Sequence, residues 1–276
     1  MSNSKRRPAT TSHGRFASWA ADIGAPTGNW TGARTACALL LACAGLLGAG
    51  NTAADPGYYL VTVYENEGQA TLDFRYWTVK NRGNAEVIWP EIGIGYGVNK
   101  RWYTELLASY IGSANSATRP SNLQWQNDFL LTQGQYDVDM ALHTLLVRNF
   151  DGTGSHALEF GPVLQTELGR FRLNANLIFE RTWGLPLARP TQLKYQWQAK
   201  YRWMPEFQFG LQGFGELGPW DDWAVSSRQS HRIGPVIAGT LPLGKPEALQ
   251  YQLSYLEGKI YARRGRMLSL RLQLAF

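Results

Sequence analysis

The feature that most restricts the fold of this chain is the alternation of apolar and polar side chains over its last ten residues, MLSLRLQLAF. The apolar positions are Leu268, Leu270, Leu272, Leu274 and Phe276, and the polar positions between them are Ser269, Arg271 and Gln273. Because strand side chains point alternately to opposite faces, this stretch predicts a strand with one apolar and one polar face. Such a strand fits a half-buried sheet in a soluble sandwich, or a wall between lipid and a wet lumen.

Eleven further segments with some alternation precede this one. The twelve predicted strands cover residues 70–80, 85–97, 101–112, 122–132, 136–148, 156–168, 171–181, 191–203, 207–217, 230–241, 248–258 and 267–276. Each has about the length that a tilted membrane strand needs, whereas no run supplies the roughly 18 apolar residues of a membrane-spanning helix. These segments predict an all-β fold, a twelve-stranded antiparallel up-and-down transmembrane β-barrel. A soluble eight-stranded lipocalin-like barrel is the alternative fold.

The connections between these segments support a membrane barrel. From the second segment onward, short turns alternate with longer loops such as those at 113–121 and 218–229. Outer-membrane barrels have short periplasmic turns and long external loops, and an even strand count places both termini on the periplasmic side. Prolines interrupt the segments at Pro90, Pro162 and Pro235, where we expect bulges or kinks because a closed barrel has no free edge.

The amino-terminal residues predict export. Residues 35–48 form an apolar run that follows Arg34, and small residues continue to Ala54, so residues 1–54 are expected to be a signal peptide with a long basic region. A lipoprotein signal at Cys43 is the alternative. Residues 55–69 are expected to be an amino-terminal extension, and residues 70–276 the barrel. Without residues 1–54 the chain has no cysteine and 22 basic against 20 acidic residues, so its charge gives no reason to expect nucleic-acid binding.

The inward-facing side chains of the predicted barrel include many charged groups. By the parity of each segment, the residues expected to line a pore are Asp73, Arg75, Glu91, Glu105, Asp128, Asp139, His143, Glu159, Glu167, Arg172, Glu180, Lys194, Lys200, Arg202, Glu216 and Arg271. Acids dominate the first six segments and bases the later ones, so opposite charges are expected to face each other across the lumen. A narrow pore and a lumen plugged by satisfied ion pairs both fit, because twelve strands lie between filled and wide barrels.

Catalysis has less support in the sequence. His143 lies four residues after Asp139 on the same face, which is part of the relay used by serine hydrolases, including barrel phospholipases. However, local spacing places no serine beside His143, and this side chain is expected to face inward, away from lipid. We therefore expect no enzymatic activity, no cofactor and no metal site.

In its signal segment, strand rhythm and terminal phenylalanine, the chain resembles Gram-negative outer-membrane β-barrels over residues 70–276. In those proteins the last strand ends in a similar phenylalanine that the barrel assembly machinery recognises, which implies that role for Phe276. The stretch PEIGIGYG at 90–97, followed by Arg101-Trp102, is similar to uncharacterised proteobacterial barrels, some of them grouped with transporter-like proteins of aromatic-compound degradation.

Taken together, these features predict a porin-like channel in the cell outer membrane for passive uptake of small polar or amphipathic solutes. Its expected partners are the lipid bilayer, lipopolysaccharide, the assembly machinery and a small solute, with no nucleic acid. The alternatives are a closed structural barrel and an outer-membrane lipid hydrolase.

Overall fold

The computed structural model describes residues 59–63, 67–150, 152, 154–185, 187–244, 246–260 and 263–276. The expected signal peptide and its lipoprotein alternative lie outside these residues. The described chain forms twelve strands: β1 Ala70–Asn81, β2 Val87–Asn99, β3 Trp102–Ser113, β4 Ser116–Leu130, β5 Val138–Asn149, β6 His156–Leu168, β7 Phe171–Trp183, β8 Gln192–Met204, β9 Phe207–Pro219, β10 Ser230–Pro242, β11 Ala248–Ile260 and β12 Arg263–Ala275.

The strands form one closed antiparallel barrel in which each strand pairs with its neighbours in sequence. The first and last strands close it, with a continuous register from Thr71 opposite Ala275 to Asn81 opposite Gly265. Hydrogen bonds in both directions between the backbones of Ala70 and Phe276 extend this seam by one residue. The prediction of a twelve-stranded antiparallel barrel is confirmed. None of the described residues forms a helix long and apolar enough to cross a membrane.

The two faces of the wall differ in chemistry. Large apolar side chains are exposed on the outside, for example Ile94 at 68% and Leu106 at 56%, whereas the inward Asp73 and Glu105 are at most 1% exposed. Exposed aromatic rings, among them Tyr96, Phe171 and Trp203, lie near the barrel end where β1 begins and β12 ends. An apolar outer band with aromatic rings at its edge is the surface of a transmembrane barrel.

The connections differ from the predicted rhythm at both ends of the barrel. We call the end where β1 begins and β12 ends the turn end, and the opposite end the loop end. At the loop end, β4 begins at Ser116 and β12 at Arg263, so two of the expected long loops are mostly strand. At the turn end, β4 and β5 are joined by a longer connection, residues 131–137. The polar residues at 116–121 and 263–266 still pair because a barrel wall can continue past the apolar band.

Bulges or kinks were predicted at Pro90, Pro162 and Pro235; the bulges are wrong, and the kinks stay a prediction. The register between β2 and β3, β6 and β7, and β10 and β11 is the same before and after each proline. A register shift instead lies beside Pro120 in β4, where Ser109 pairs with Asn122 and Tyr110 pairs with Pro120. Ser121 is the additional residue of β4 at this shift. It lies next to Pro120, whose nitrogen cannot donate a hydrogen bond to the neighbouring strand.

The amino-terminal extension enters the barrel. Near the turn end, Gly68 donates a hydrogen bond to the Gly97 carbonyl at 2.8 Å, and Glu67 forms a parallel bridge with Gly97. Residues 59–63 lie inside the wall, where the Tyr59 and Leu60 side chains are buried. We call residues 59–63 the lumen segment.

Candidate functional site

The lumen holds its most closely packed charges beside the seam between β1 and β12. Asp73 Oδ2 accepts hydrogen bonds from Arg75 Nε at 3.0 Å and from Arg271 Nε at 2.9 Å. Arg75 also donates through Nη2 to Glu105 Oε2 on β3 at 2.6 Å. Two guanidinium groups and two carboxylates therefore balance in charge at the position where the barrel closes.

Two further acids lie on the next strands around the wall. Glu91 on β2 accepts hydrogen bonds from Ser109 at 2.9 Å and from Gln124 at 3.2 Å. Asp128 on β4 contacts His143 Nδ1 on β5 at 2.6 Å, and both side chains are almost fully buried. The sequence interpretation had paired His143 with Asp139, whereas the partner in the structure is the cross-strand neighbour.

Three more ion-pair groups complete the charged wall. Lys194 on β8 lies between Glu159, at 3.1 Å, and Glu180. Glu167 binds both Arg172 at 2.8 Å and Arg202 at 2.9 Å, near the turn end. Glu216 on β9 accepts from Arg232 on β10 at 2.8 Å. Arg232 was missed in the list of lining residues, although its parity in β10 assigns it to the same face.

These pairs do not form as the sequence interpretation expected. Opposite charges were expected to meet across the lumen, from an acidic half to a basic half. Instead, the pairs just described lie within β1 or join strands that are neighbours or next neighbours, such as β6 with β8 and β1 with β3. The register brings opposite charges together locally, so the wall compensates most of its own charge before any contact across the lumen is needed.

The remaining two expected lining residues occupy different environments. Lys200 on β8 is buried, with 8% of its surface exposed. Asp139 lies at the start of β5 and accepts hydrogen bonds from the Gly134 amide at 2.7 Å and the Thr132 hydroxyl at 3.3 Å. Asp139 therefore orders the connection between β4 and β5 at the turn end.

A group of neutral amides lines another part of the lumen. Gln198 donates to Gln212 at 2.7 Å, and Gln212 donates to the Ser254 hydroxyl at 2.7 Å. Gln252 joins this group through Gln198 at 3.2 Å. The alternation in β8 and β11 assigned Gln198, Gln252 and Ser254 inward, but the predicted lining residues were charged groups and His143 and did not include them.

An apolar cluster fills the lumen toward the loop end, which the sequence did not predict. Trp77 and Trp89 stack with their ring centroids 4.2 Å apart, and Ile260, Met267 and further side chains surround them. Tyr59 of the lumen segment is part of this cluster. The sequence signal was available in the inward parity of these apolar residues, which a water-filled pore would not favour.

Tyr59 also reaches the charged groups below the cluster. The Arg75 guanidinium lies 5.0 Å from the centroid of its ring, a cation–π contact. Burial, and next the Glu91 carboxylate, raise the pKa of the Tyr59 phenol well above its ordinary value. The phenol is therefore neutral at physiological pH, and Tyr59 is part of the apolar cluster.

The rest of the lumen segment is held by few polar contacts. The Val61 amide donates to Gln196 at 3.1 Å, and the Val61 carbonyl accepts from Asn176 at 2.8 Å. Val61 and Val63 also pack against a small buried cluster of Leu130, Ala141 and Val163. The segment is thus positioned by side-chain contacts and is not a strand of the barrel wall.

The geometry offers little for catalysis or metal binding. Asp128 orients His143, but the polar contact described for His143 is this carboxylate, and no nucleophile is placed beside the ring by the contacts of the described residues. Within the same part of the chain, no group of three or more His, Cys, Asp or Glu side chains is arranged to hold a metal ion.

A closed twelve-stranded antiparallel wall with an apolar outer band and a charged interior defines the class of transmembrane β-barrels. Solved structures of outer-membrane channels share this fold. An outer-membrane channel from Pseudomonas putida F1 is 12% identical with a TM-score of 0.56, covering 81% of this chain and 100% of that one. The NanC porin is 12% identical with a TM-score of 0.51, over 74% and 98% of the two chains. The KdgM porin, in complex with disordered oligogalacturonate, is 6% identical with a TM-score of 0.50, over 75% and 99%. No protein-family model and no curated protein matches the chain.

Proposed function

We propose that this protein is a porin-like channel of the outer membrane for passive uptake of small polar or amphipathic solutes, and that displacement of the lumen segment opens it. The sixteen lining residues predicted from the sequence, except Asp139, would form the wall of the open path. Support comes from the shared fold with outer-membrane channels and from the polar interior of a lipid-facing barrel.

The observation that carries this proposal is how the lumen is filled. Part of the filling does not belong to any wall strand: residues 59–63 contribute Tyr59 to the apolar cluster and Val61 to two hydrogen bonds. In the part of the chain that the structure describes, two neutral hydrogen bonds, the cation–π contact between Tyr59 and Arg75, and apolar contacts hold this segment. It can therefore leave without breaking the barrel, whereas wall side chains cannot. We infer that the described conformation is the closed state of such a channel.

The test is single-channel conductance of the purified protein and of Tyr59→Ala. Loss of a buried aromatic ring costs on the order of 3 kcal/mol, which shifts the population about a hundredfold toward the displaced segment. We expect Tyr59→Ala to raise the open probability strongly. Tyr136→Ala is the matched control, because that tyrosine is 70% exposed at the turn end.

A closed structural barrel is the second candidate, and one observation favours it. The apolar cluster includes wall residues that are fully buried, such as Trp77 and Leu256 at 0% exposure, so part of the obstruction belongs to the wall itself. A flat baseline for the protein and for Tyr59→Ala, with both correctly folded, would favour this candidate and refute the channel.

Further parts of the proposal concern export, assembly and chemistry. Residues 1–54 are proposed as the signal peptide, and Phe276 as the residue that the barrel assembly machinery recognises. The proposed partners are the bilayer, lipopolysaccharide, that machinery and a small solute. We propose no enzymatic role, since the Asp128–His143 pair faces inward, away from a lipid substrate.

A further inference from the structure

Five basic side chains gather at the loop end, four of them on the adjacent strands β11, β12 and β1 and one in the turn that follows β1. They are Lys80, Lys259, Arg264 and Arg266 on the strands and Arg82 in the turn, and we call them the outer basic strip. The outward direction of the four strand residues follows from parity: the alternate residues Val79, Asn81, Ile260 and Met267 are buried inside the barrel, and the register of these three strands has no shift. Arg82, Lys259, Arg264 and Arg266 are exposed, and Lys80 is half-buried.

The pairing register places like charges opposite each other within this strip. Lys80 is the cross-strand partner of Arg266, and Lys259 is the partner of Arg264. The Arg82 amide in turn bonds the Arg264 carbonyl at 3.3 Å. Directly opposed like charges destabilise a sheet, because their side chains are only about 5 Å apart at Cβ. An anion bound from outside would convert this repulsion into attraction.

The chain itself supplies little compensating charge. Two carboxylates flank the strip, Glu86 at its edge and Glu257 opposite Arg266, and Tyr255 donates a hydrogen bond to Glu257 at 3.0 Å. Neither carboxylate forms an ion pair with the strip in the part of the chain that the structure describes. Lys80 and Lys259 instead donate to backbone carbonyls, those of Asn84 and Ser226. The strip therefore keeps a net positive charge.

The strip lies immediately beyond the lipid-facing band. One outward position closer to the middle of the barrel than Arg266, β12 carries Leu268, 38% exposed. On β11, Tyr255 lies two outward positions closer than Lys259, beyond Glu257, and is 39% exposed. Successive residues on one face of a strand are about 6.7 Å apart, so the cations lie at the level of lipid headgroups. At the turn end, the outward residues of these strands include Leu72, Leu249 and Leu274, so the positive charge belongs to one leaflet only.

From this placement we propose that the outer basic strip binds the phosphate groups of lipid A in the outer leaflet. Arginine guanidinium groups donate paired hydrogen bonds to phosphate oxygens, and the acyl chains of the same lipid would cover Leu268 and Tyr255 below. The proposal depends on the outer-membrane location proposed above, but it does not depend on whether the lumen conducts.

The experiment measures lipid A binding to the detergent-extracted full-length protein by native mass spectrometry. The variant is the triple substitution Lys80→Gln, Arg264→Gln and Arg266→Gln, with the single Arg264→Gln as a milder second variant. We expect the triple variant to bind bis-phosphorylated lipid A at least about tenfold more weakly, since charge-assisted hydrogen bonds are lost. Heat-dependent gel mobility verifies that each variant is folded.

The matched control is the double substitution Arg148→Gln and Arg181→Gln. Both arginines are exposed on the outer face at the loop end. Arg148 is paired across the sheet with Leu123 and His156, and Arg181 with Leu158, so neither is opposite a lysine or an arginine. We expect lipid A binding by this control within about twofold of the unchanged protein, because isolated surface charges contribute little. Equal weakening in the control and the triple variant would show non-specific attraction and overturn the proposal.

Two probes separate the possible sources of the phosphate. Dephosphorylated lipid A should bind weakly to the unchanged protein, and millimolar inorganic phosphate should not displace lipid A. Equal binding of lipid A with and without its phosphates would refute the proposal, as would full displacement by inorganic phosphate, which would assign the strip to a free anion. If neither the protein nor Tyr59→Ala conducts, but the protein still binds lipid A through the strip, only the proposed channel is refuted.

Discussion

Asp73 is the residue whose replacement tests the charge balance at the barrel seam most directly. Its side chain is 0% exposed, and its Oδ2 atom accepts from the guanidinium groups of both Arg75 and Arg271. Asp73→Asn keeps the size of the side chain but leaves two cations around a neutral amide, with Glu105 as the remaining carboxylate bonded to Arg75. The substitution therefore converts a balanced buried group into one with an excess positive charge.

The expected cost follows from the burial of these groups. Removing one partner of a buried ion pair costs about 3–5 kcal/mol. Arg271 is 13% exposed and Arg75 keeps its bond to Glu105, so we expect Asp73→Asn to lie near the lower limit, about 3 kcal/mol. Adding Arg271→Gln restores the charge balance, so the double variant should be more stable than Asp73→Asn alone, by about 1–2 kcal/mol.

The assay is reversible urea unfolding in phospholipid vesicles, followed by tryptophan fluorescence, which reports the free energy of unfolding. Asp221→Asn is the matched control, because Asp221 is exposed in the connection between β9 and β10. Its expected effect is below about 0.5 kcal/mol. Charge balance at the seam is refuted as a source of stability if Asp73→Asn is as stable as this control. It is also refuted if adding Arg271→Gln lowers the free energy of unfolding further, by the full cost of losing the Arg271 guanidinium.

Two further predictions concern the wall and its last residue. A Cβ atom at Gly161 would overlap the Leu177 backbone carbonyl, whereas at Gly93 its nearest contact would be the Leu107 side chain at 2.9 Å. Gly161→Ala should therefore destabilise the barrel by about 1–3 kcal/mol more than Gly93→Ala in the same urea assay. Equal effects would contradict the close backbone approach at Gly161. The Phe276 backbone forms hydrogen bonds with Ala70, and the Phe276 ring is 50% exposed. Phe276→Ala should therefore change the free energy of unfolding by less than about 0.5 kcal/mol. The same substitution should lower the amount of protein in the outer membrane several-fold, as measured by immunoblotting of membrane fractions. Phe207→Ala, a 40% exposed aromatic at the same end, is the control, and equal yields of the two variants would contradict an assembly role for the terminal ring.

The strands and their faces were predictable from the sequence because both follow from local alternation. Leu270 and Arg271 already indicate which face meets lipid and which meets the interior, and the register carries that assignment around the wall. Strand ends were less predictable: residues 116–121 and 263–266 are polar and lie beyond the apolar band, where alternation of hydrophobicity no longer marks a strand.

The candidate site was predictable in its members and not in its contacts. Parity assigned Asp128 and His143 to the interior, but their pairing depends on the register between β4 and β5, which no local pattern specifies. The position of Tyr59 depends on residues that are farther away in the sequence. Its binding surface, formed with Trp77 and Ile260, exists only after the barrel has closed, so the extension carries no periodic signal that points to it.

The local pairing of charges along the wall also bears on which ions would pass. Lys194 lies between two carboxylates, Glu159 and Glu180, whereas Glu167 binds two guanidinium groups, those of Arg172 and Arg202, so the excess negative charge of the first group offsets the excess positive charge of the second. Potassium and chloride would then meet similar electrostatic barriers along the path, giving a current with a reversal potential near zero in a salt gradient. Discrimination between permeating molecules would arise from their size and from the indole surfaces of Trp77 and Trp89.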